Sequence, residues 1–120
     1  MAGGALHESP EDISDETHEM HRALVSLIEE LEAVDWYGQR VDASTDGDLE
    51  AVLVHNRDEE KEHACMTLEW IRRHDPVFDG FLRKFLFGSG AITDGAGEGN
   101  GEDSDPTLGI GSLREQEGDA

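Results

Sequence analysis

Glu60 and His63 stand three residues apart. On a helix, side chains at i and i+3 project from one face, so this pair could offer one oxygen and one nitrogen ligand to a single metal ion. The flanking residues supply the helix. Leu49, Leu53, Asn56, Glu60, His63, Thr67 and Trp70 recur at intervals of four and three, the spacing of one helical stripe. A helix normally buries such a stripe against a partner, yet its middle here is a carboxylate and an imidazole. Burying either without a partner would be costly.

The preceding segment repeats the pattern. Leu27, Glu30, Val34, Tyr37 and Val41 follow the same spacing, and again one carboxylate, Glu30, takes a position expected of a core residue. Helical bundles that hold two metal ions combine a Glu from each of two helices with a Glu-x-x-His from each of two others. One chain therefore carries half a site, and two chains related by a two-fold axis would complete it. A ligand set this rich in oxygen suits iron or manganese better than tetrahedral zinc. The structural alternative is a hydrogen-bonded Glu and His that fix the register of a helical dimer. Glu30 and Glu60 of two chains would then crowd four carboxylates into one seam, where they repel unless protonated or neutralised. Two divalent cations would neutralise them.

Other ligand-type residues carry weaker signals. Glu29, Glu32 and Trp36 form a further row beside the core stripe; the two acids could hold a hydrated cation, although a solvated acidic face is the commoner meaning of such a row. Tyr37 could hydrogen-bond a ligand or accept an oxidising equivalent, or simply pack. His18 and His21 are expected to face solvent, lacking an evident third ligand. His55-x-x-x-Glu59 has the spacing of a hemerythrin fragment, but the additional histidines of that pattern are absent. Met66 and Trp70 read as core, and Cys65 as packing material beside the seam.

The elements that must position these groups follow from the punctuation. Ser9-Pro10-Glu11-Asp12 can open a helix, with Ser14 as a rival cap. A broad apolar stripe through Leu24, Leu27, Ile28, Leu31 and Val34 carries that helix to about Val41. Ala43 to Asp48 is a short turn with Thr45 or Asp46 ready to cap the second helix, and so short a connection makes an antiparallel hairpin. Arg72, Arg73 and His74 suit the second helix's C-terminal dipole, and Pro76 ends it. Val77 to Phe87 predicts a short aromatic third helix. The predicted fold is all-α: a two-helix hairpin plus a short C-terminal helix, completing a four-helix bundle by dimerisation, because a hairpin alone encloses too little core.

Acidic residues dominate the whole chain. Up to Phe87 there are 21 acidic and 8 basic residues, and from Gly88 onward 8 and 1, giving a formal charge of −20 over 120 residues. Such a field repels nucleic acid and anionic membranes and concentrates cations; solubility or salt adaptation accounts for most of it. Cys65 stands alone, so no intrachain disulfide can form and a reducing cytosol is expected. Met1 to Asp12 has no feature of a secretory signal. The organisation expected is a flexible start over 1–13, the helical region over 14–87, an acidic glycine-rich linker over 88–107, a short apolar peptide over 108–114 and a tail over 115–120. Leu108, Ile110 and Leu113 give that peptide the character of a docking segment or of residual hydrophobicity.

The stretch Glu29-Glu-Leu-Glu-Ala-Val-Asp-Trp-Tyr37, with Gln39-Arg-Val-Asp-Ala-Ser-Thr-Asp46 and His55-Asn-Arg-Asp-Glu-Glu-Lys-Glu-His63, resembles the encapsulated ferritins, cargo proteins of encapsulin nanocompartments. The likeness runs from about His21 to Arg73 and returns at Leu108 to Arg114. It implies two-chain ferritin-like units closing into a ring, a decamer in the family, within the lumen of a cytoplasmic encapsulin shell docked through Leu108, Ile110 and Leu113. It also implies a ferroxidase that oxidises Fe(II) with dioxygen, two irons per dimer, at Glu30, Glu60 and His63 from both chains. Tyr37 would stand near the centre. Glu29, Glu32 and Trp36 would match the site through which metal enters, which could also take other divalent cations such as calcium. The family's rings enclose no storage cavity, so the shell would hold the mineral. The competing class is a non-catalytic adaptor of the shell that uses Glu and His for assembly; a related carboxylate-bridged peroxidase would want an electron donor that one cysteine cannot build.

Overall fold

The computed structural model describes residues 5–96, and among them every regular element is helical. Helix α1 spans Asp15–Ala43, α2 Gly47–His74 and α3 Pro76–Phe85. Ser14 opens α1, its hydroxyl accepting from the Thr17 amide at 3.1 Å, while Pro10–Asp12 forms a separate 3-10 turn. His18 ties that turn down: its Nε2 lies 3.0 Å from the Pro10 carbonyl, so the ring is half-buried and not solvent-facing as expected. Asp46 caps α2, accepting from the Leu49 amide at 2.9 Å. Pro76 does more than end α2. It occupies the first turn of α3, where its missing N–H costs nothing, and Asp75 caps α3 by accepting from the Val77 and Phe78 amides, each at 3.0 Å.

The chain divides into two compact units, one up to Ile71 and one from Arg72. In the first, only three residues of chain join the two long helices. Glu19, Arg22, Ala23 and Ser26 of α1 line one cleft with Met66, Thr67 and Trp70 of α2, so the helices run antiparallel. Each step along α1 toward the turn matches a step back along α2. Residues 22 and 23 face 66 and 67, and Glu30 accordingly stands level with about residue 60. The apolar row read from α1 faces inward: Leu27, Glu30, Val34 and Tyr37 are half-buried and Val41 is buried.

Full burial within one chain is sparse. Val41, Ala64 and Ile71 form the buried core among the described residues. Leu24, Ile28 and Leu31, a stripe at spacings of four and three on α1, remain exposed, as do Leu49, Val52, Met66 and Trp70 on α2. Met66 and Trp70 are thus not core in the single chain. On α2 the buried positions are Ala64 and Ile71, the residues following His63 and Trp70, a row that keeps the seven-residue repeat but lies one residue around the helix from the row read in the sequence.

In the second unit Asp79 accepts from Arg72 Nη1 and, at 3.0 Å, from Arg83 Nε. Phe81 and Phe85 stack with centroids 6.4 Å apart. The Ile92–Gly95 turn closes on α3 so tightly that a Cβ on Gly95 would meet Lys84 Cε at 3.0 Å. Phe87, with φ of 64°, leaves α3 in the left-handed region and is wholly exposed.

Candidate metal centre

Glu60 and His63 share a face of α2, as their spacing requires. Their side chains are 27% and 43% exposed, and Glu60 Oε1 lies 3.6 Å from His63 Nδ1. That separation is beyond a hydrogen bond, so neither group consumes the other's donor atom and both can turn to a third. Glu30 approaches from α1 at the same level. Its Oε1 is cut off from solvent and has no hydrogen-bond partner, a condition that costs about 1–3 kcal/mol for a neutral group and more for a charge. A buried carboxylate oxygen without a partner on α1 and a Glu and a His on one face of α2 are donor types of an oxygen-rich cation site, and in donor chemistry, though not in grouping within one chain, they suit a divalent metal ion. Among the described residues no three His, Cys, Asp or Glu side chains within one chain are grouped closely enough to hold an ion.

The outer row is arranged differently. Glu29 and Trp36 are exposed and Glu32 half-buried on α1, so they form a wet acidic strip one residue around from Glu30. Tyr37 lies in the Glu30 stripe, half-buried, with the Arg40 guanidinium 5.4 Å from its ring centroid. His55 and Glu59 pair with each other, Nε2 to Oε2 at 3.1 Å, on an exposed face. Cys65 is exposed and free, not packed as expected. His21 is half-buried. Leu108, Ile110 and Leu113 lie outside the described residues.

Arg57 is the residue that sequence reasoning passed over. It sits one turn before Glu60, its Nε is inaccessible and makes no hydrogen bond, and its side chain is only 26% exposed. The available signal was its place in the row Leu53, Arg57, Glu60, Ala64, which parallels the seam.

Comparison with known proteins places the chain in a family. A Rhodospirillum rubrum protein named as an encapsulated ferritin-like protein is 55% identical over 127 residues, covering 95% of this chain and 91% of the relative. A Myxococcus xanthus encapsulin nanocompartment cargo protein is 37% identical over 79 residues, covering 65% of this chain and 61% of its own. A crystal structure of a Nitrosomonas europaea protein superposes with a TM-score of 0.72 at 59% identity, over 73% of this chain and 97% of that one. The EncFtn-like family model matches residues 5–89. With a helical hairpin that carries the family's match along almost its entire described length, the chain belongs to the EncFtn-like family, the encapsulated ferritin-like proteins.

Proposed function

We propose that this protein is an encapsulin cargo that acts as a ferroxidase, with Fe(II) as its substrate and dioxygen as the electron acceptor. Membership of a family whose relatives are named as encapsulated and as nanocompartment cargo supports the cargo role and an activity related to iron. The observation that carries the chemistry is Glu30 Oε1, buried and unpartnered on α1, with the antiparallel register inferred from the cleft and the short turn setting it near the level of the Glu60–His63 pair. Two copies would bring Glu30, Glu60 and His63 from each chain to a shared centre for two ferrous ions. The exposed Leu24, Ile28 and Leu31 stripe on α1 provides an apolar surface for that association.

Each residue then has a defined task. The carboxylates of Glu30 and Glu60 bind Fe(II), and as hard oxygen donors they hold the ferric product more strongly than the ferrous substrate, which favours loss of an electron from each ion to dioxygen. His63 supplies a neutral nitrogen donor and limits the net negative charge at the centre. Tyr37 stands about two turns along α1 from Glu30, where it can orient a ligand or act as a redox neighbour. Glu29, Glu32 and Trp36, on the wet strip, would pass hydrated cations, iron or calcium, toward the centre. Leu108, Ile110 and Leu113 would dock the protein to the inner face of the shell, which would store the oxidised iron.

Oxygen-electrode measurements with Fe(II) test this reading. The wild-type protein should consume dioxygen in proportion to iron added, and Glu60→Ala and His63→Ala should each lower the rate by about 100-fold or more, within the loss expected when a metal ligand is removed. Full activity in both variants would dispose of the proposed centre.

A further inference from the structure

Two polar side-chain atoms are sealed from solvent without a hydrogen bond among the described residues, and they have opposite sign: Glu30 Oε1 on α1 and Arg57 Nε on α2. Among the described residues Arg57 has one ion-pair neighbour, Asp58 Oδ1 at 3.5 Å, a carboxylate that is itself 60% exposed and lies 3.8 Å from Lys61 Nζ. The antiparallel register sets Arg57 level with about residue 33, three residues or roughly 4.5 Å along the axis from Glu30. Arg57 also precedes Glu60 by one helical turn on the same face. The other Arg and Lys side chains of this unit, Arg22, Arg40 and Lys61, are exposed, so up to Ile71 Arg57 is the one half-buried Arg or Lys among the described residues.

These facts bear on what holds the pooled centre together when no iron is bound. Four carboxylates facing one another across a dimer repel, and a half-buried guanidinium near them keeps its positive charge, since arginine does not deprotonate in proteins. That charge can relieve the repulsion. We infer that Arg57 is the resident counter-cation of the metal-free centre, facing Glu30 and Glu60 when iron is absent and giving way as divalent cations arrive. This rests on the two-chain reading above and deepens it: Arg57 is a positioning residue that keeps the empty site assembled and sets a threshold for loading, because each arriving ion must displace a charge already there.

The test compares dimer dissociation constants of the full chain, by analytical ultracentrifugation, in chelator and in Co(II), for wild type, Arg57→Met, Arg57→Gln and Arg57→Lys. Far-ultraviolet circular dichroism establishes which variants retain helix. The charge-removing variants should dimerise at least tenfold more weakly than wild type in chelator and within about twofold of it in Co(II), whereas Arg57→Lys should stay close to wild type in both. A residue that merely packs would lower dimer affinity equally in the two conditions, and that result overturns the inference. So does an Arg57→Met or Arg57→Gln dimer as strong as wild type in chelator, or a charge-removing pair that loses its helix while Arg57→Lys weakens both states alike. Failure of the underlying centre looks different: the wild-type dimer would then be indifferent to Co(II), and Glu60→Gln would not alter that.

Discussion

At the scale of single residues, the molecule places unsatisfied charge where a soluble helix would place leucine. Glu30 is the clearest case, because its buried oxygen lowers stability in the chain as it stands and gains a role only if a cation meets it. Glu30→Met should therefore act in two directions. In chelator, at concentrations that keep the chain monomeric, the substitution removes a buried charge and should raise stability by about 1 kcal/mol, read as a higher thermal midpoint; with Fe(II) it should reduce dioxygen consumption by tenfold or more. A monomeric variant that lost stability in chelator would mean that Glu30 has a partner within its own chain. Glu60 and His63 were legible in the sequence because i and i+3 spacing fixes a shared helical face whatever surrounds it. Arg57 was not. An arginine followed by Asp58, Glu59, Glu60 and Lys61 reads as solvated, and its burial depends on how closely α1 approaches, which the row it shares with Leu53 and Ala64 does not by itself fix.

At the scale of the elements, the helices were legible to within a few residues because their punctuation is strong, and the discrepancies have local causes. Asp75 was not expected as a cap, since Pro76 drew attention as a terminator; its carboxylate nevertheless accepts from two amides of α3. Asp75→Ala should cost about 1 kcal/mol, seen as a lower midpoint in chemical denaturation of the metal-free protein. The second anchor of α3 is titratable. Hydrogen bonds from Arg72 and then Arg83, reinforced by their charges, hold the Asp79 carboxyl below its ordinary value of 3.8. A carboxylate depressed in the folded state contributes stability above its unfolded value, and that contribution is lost as pH falls through the folded one. Acidification from pH 5 to below about 3.8 should therefore destabilise the wild type more than Asp79→Asn, with the two curves running parallel above pH 5. Unfolding titrations at pH 6, 4 and 3 would check it, and curves that stay parallel throughout would remove Asp79 from the account.

At the scale of the whole molecule, one chain carries too little buried apolar surface to explain itself. Three buried residues among the described ones, of which only Ile71 is fully buried, are a thin core for two helices of 29 and 28 residues. The half-complete ligand set already points to a partner in the sequence, but the surface proposed to meet it was less legible: the apolar positions of α1 form one broad stripe, and only the position of α2 separates Leu27 and Val34, turned inward, from Leu24, Ile28 and Leu31, left exposed. Leu24 makes the sharpest test because it is six residues, about 9 Å of helix, from Glu30 and is not a ligand. In Leu24→Glu an additional negative charge would have to be buried in a seam already rich in carboxylates, which costs several kcal/mol unless neutralised, so dimers should weaken by 100-fold or more in sedimentation measurements. Dioxygen consumption per chain should fall with the dimer fraction and return toward the wild-type value as protein concentration is raised, since every ligand is intact and mass action alone limits the centre. Activity that stayed at the wild-type level in a demonstrably monomeric Leu24→Glu protein would mean that a single chain completes its own metal centre, and the pooling of Glu30, Glu60 and His63 between chains would have to be abandoned.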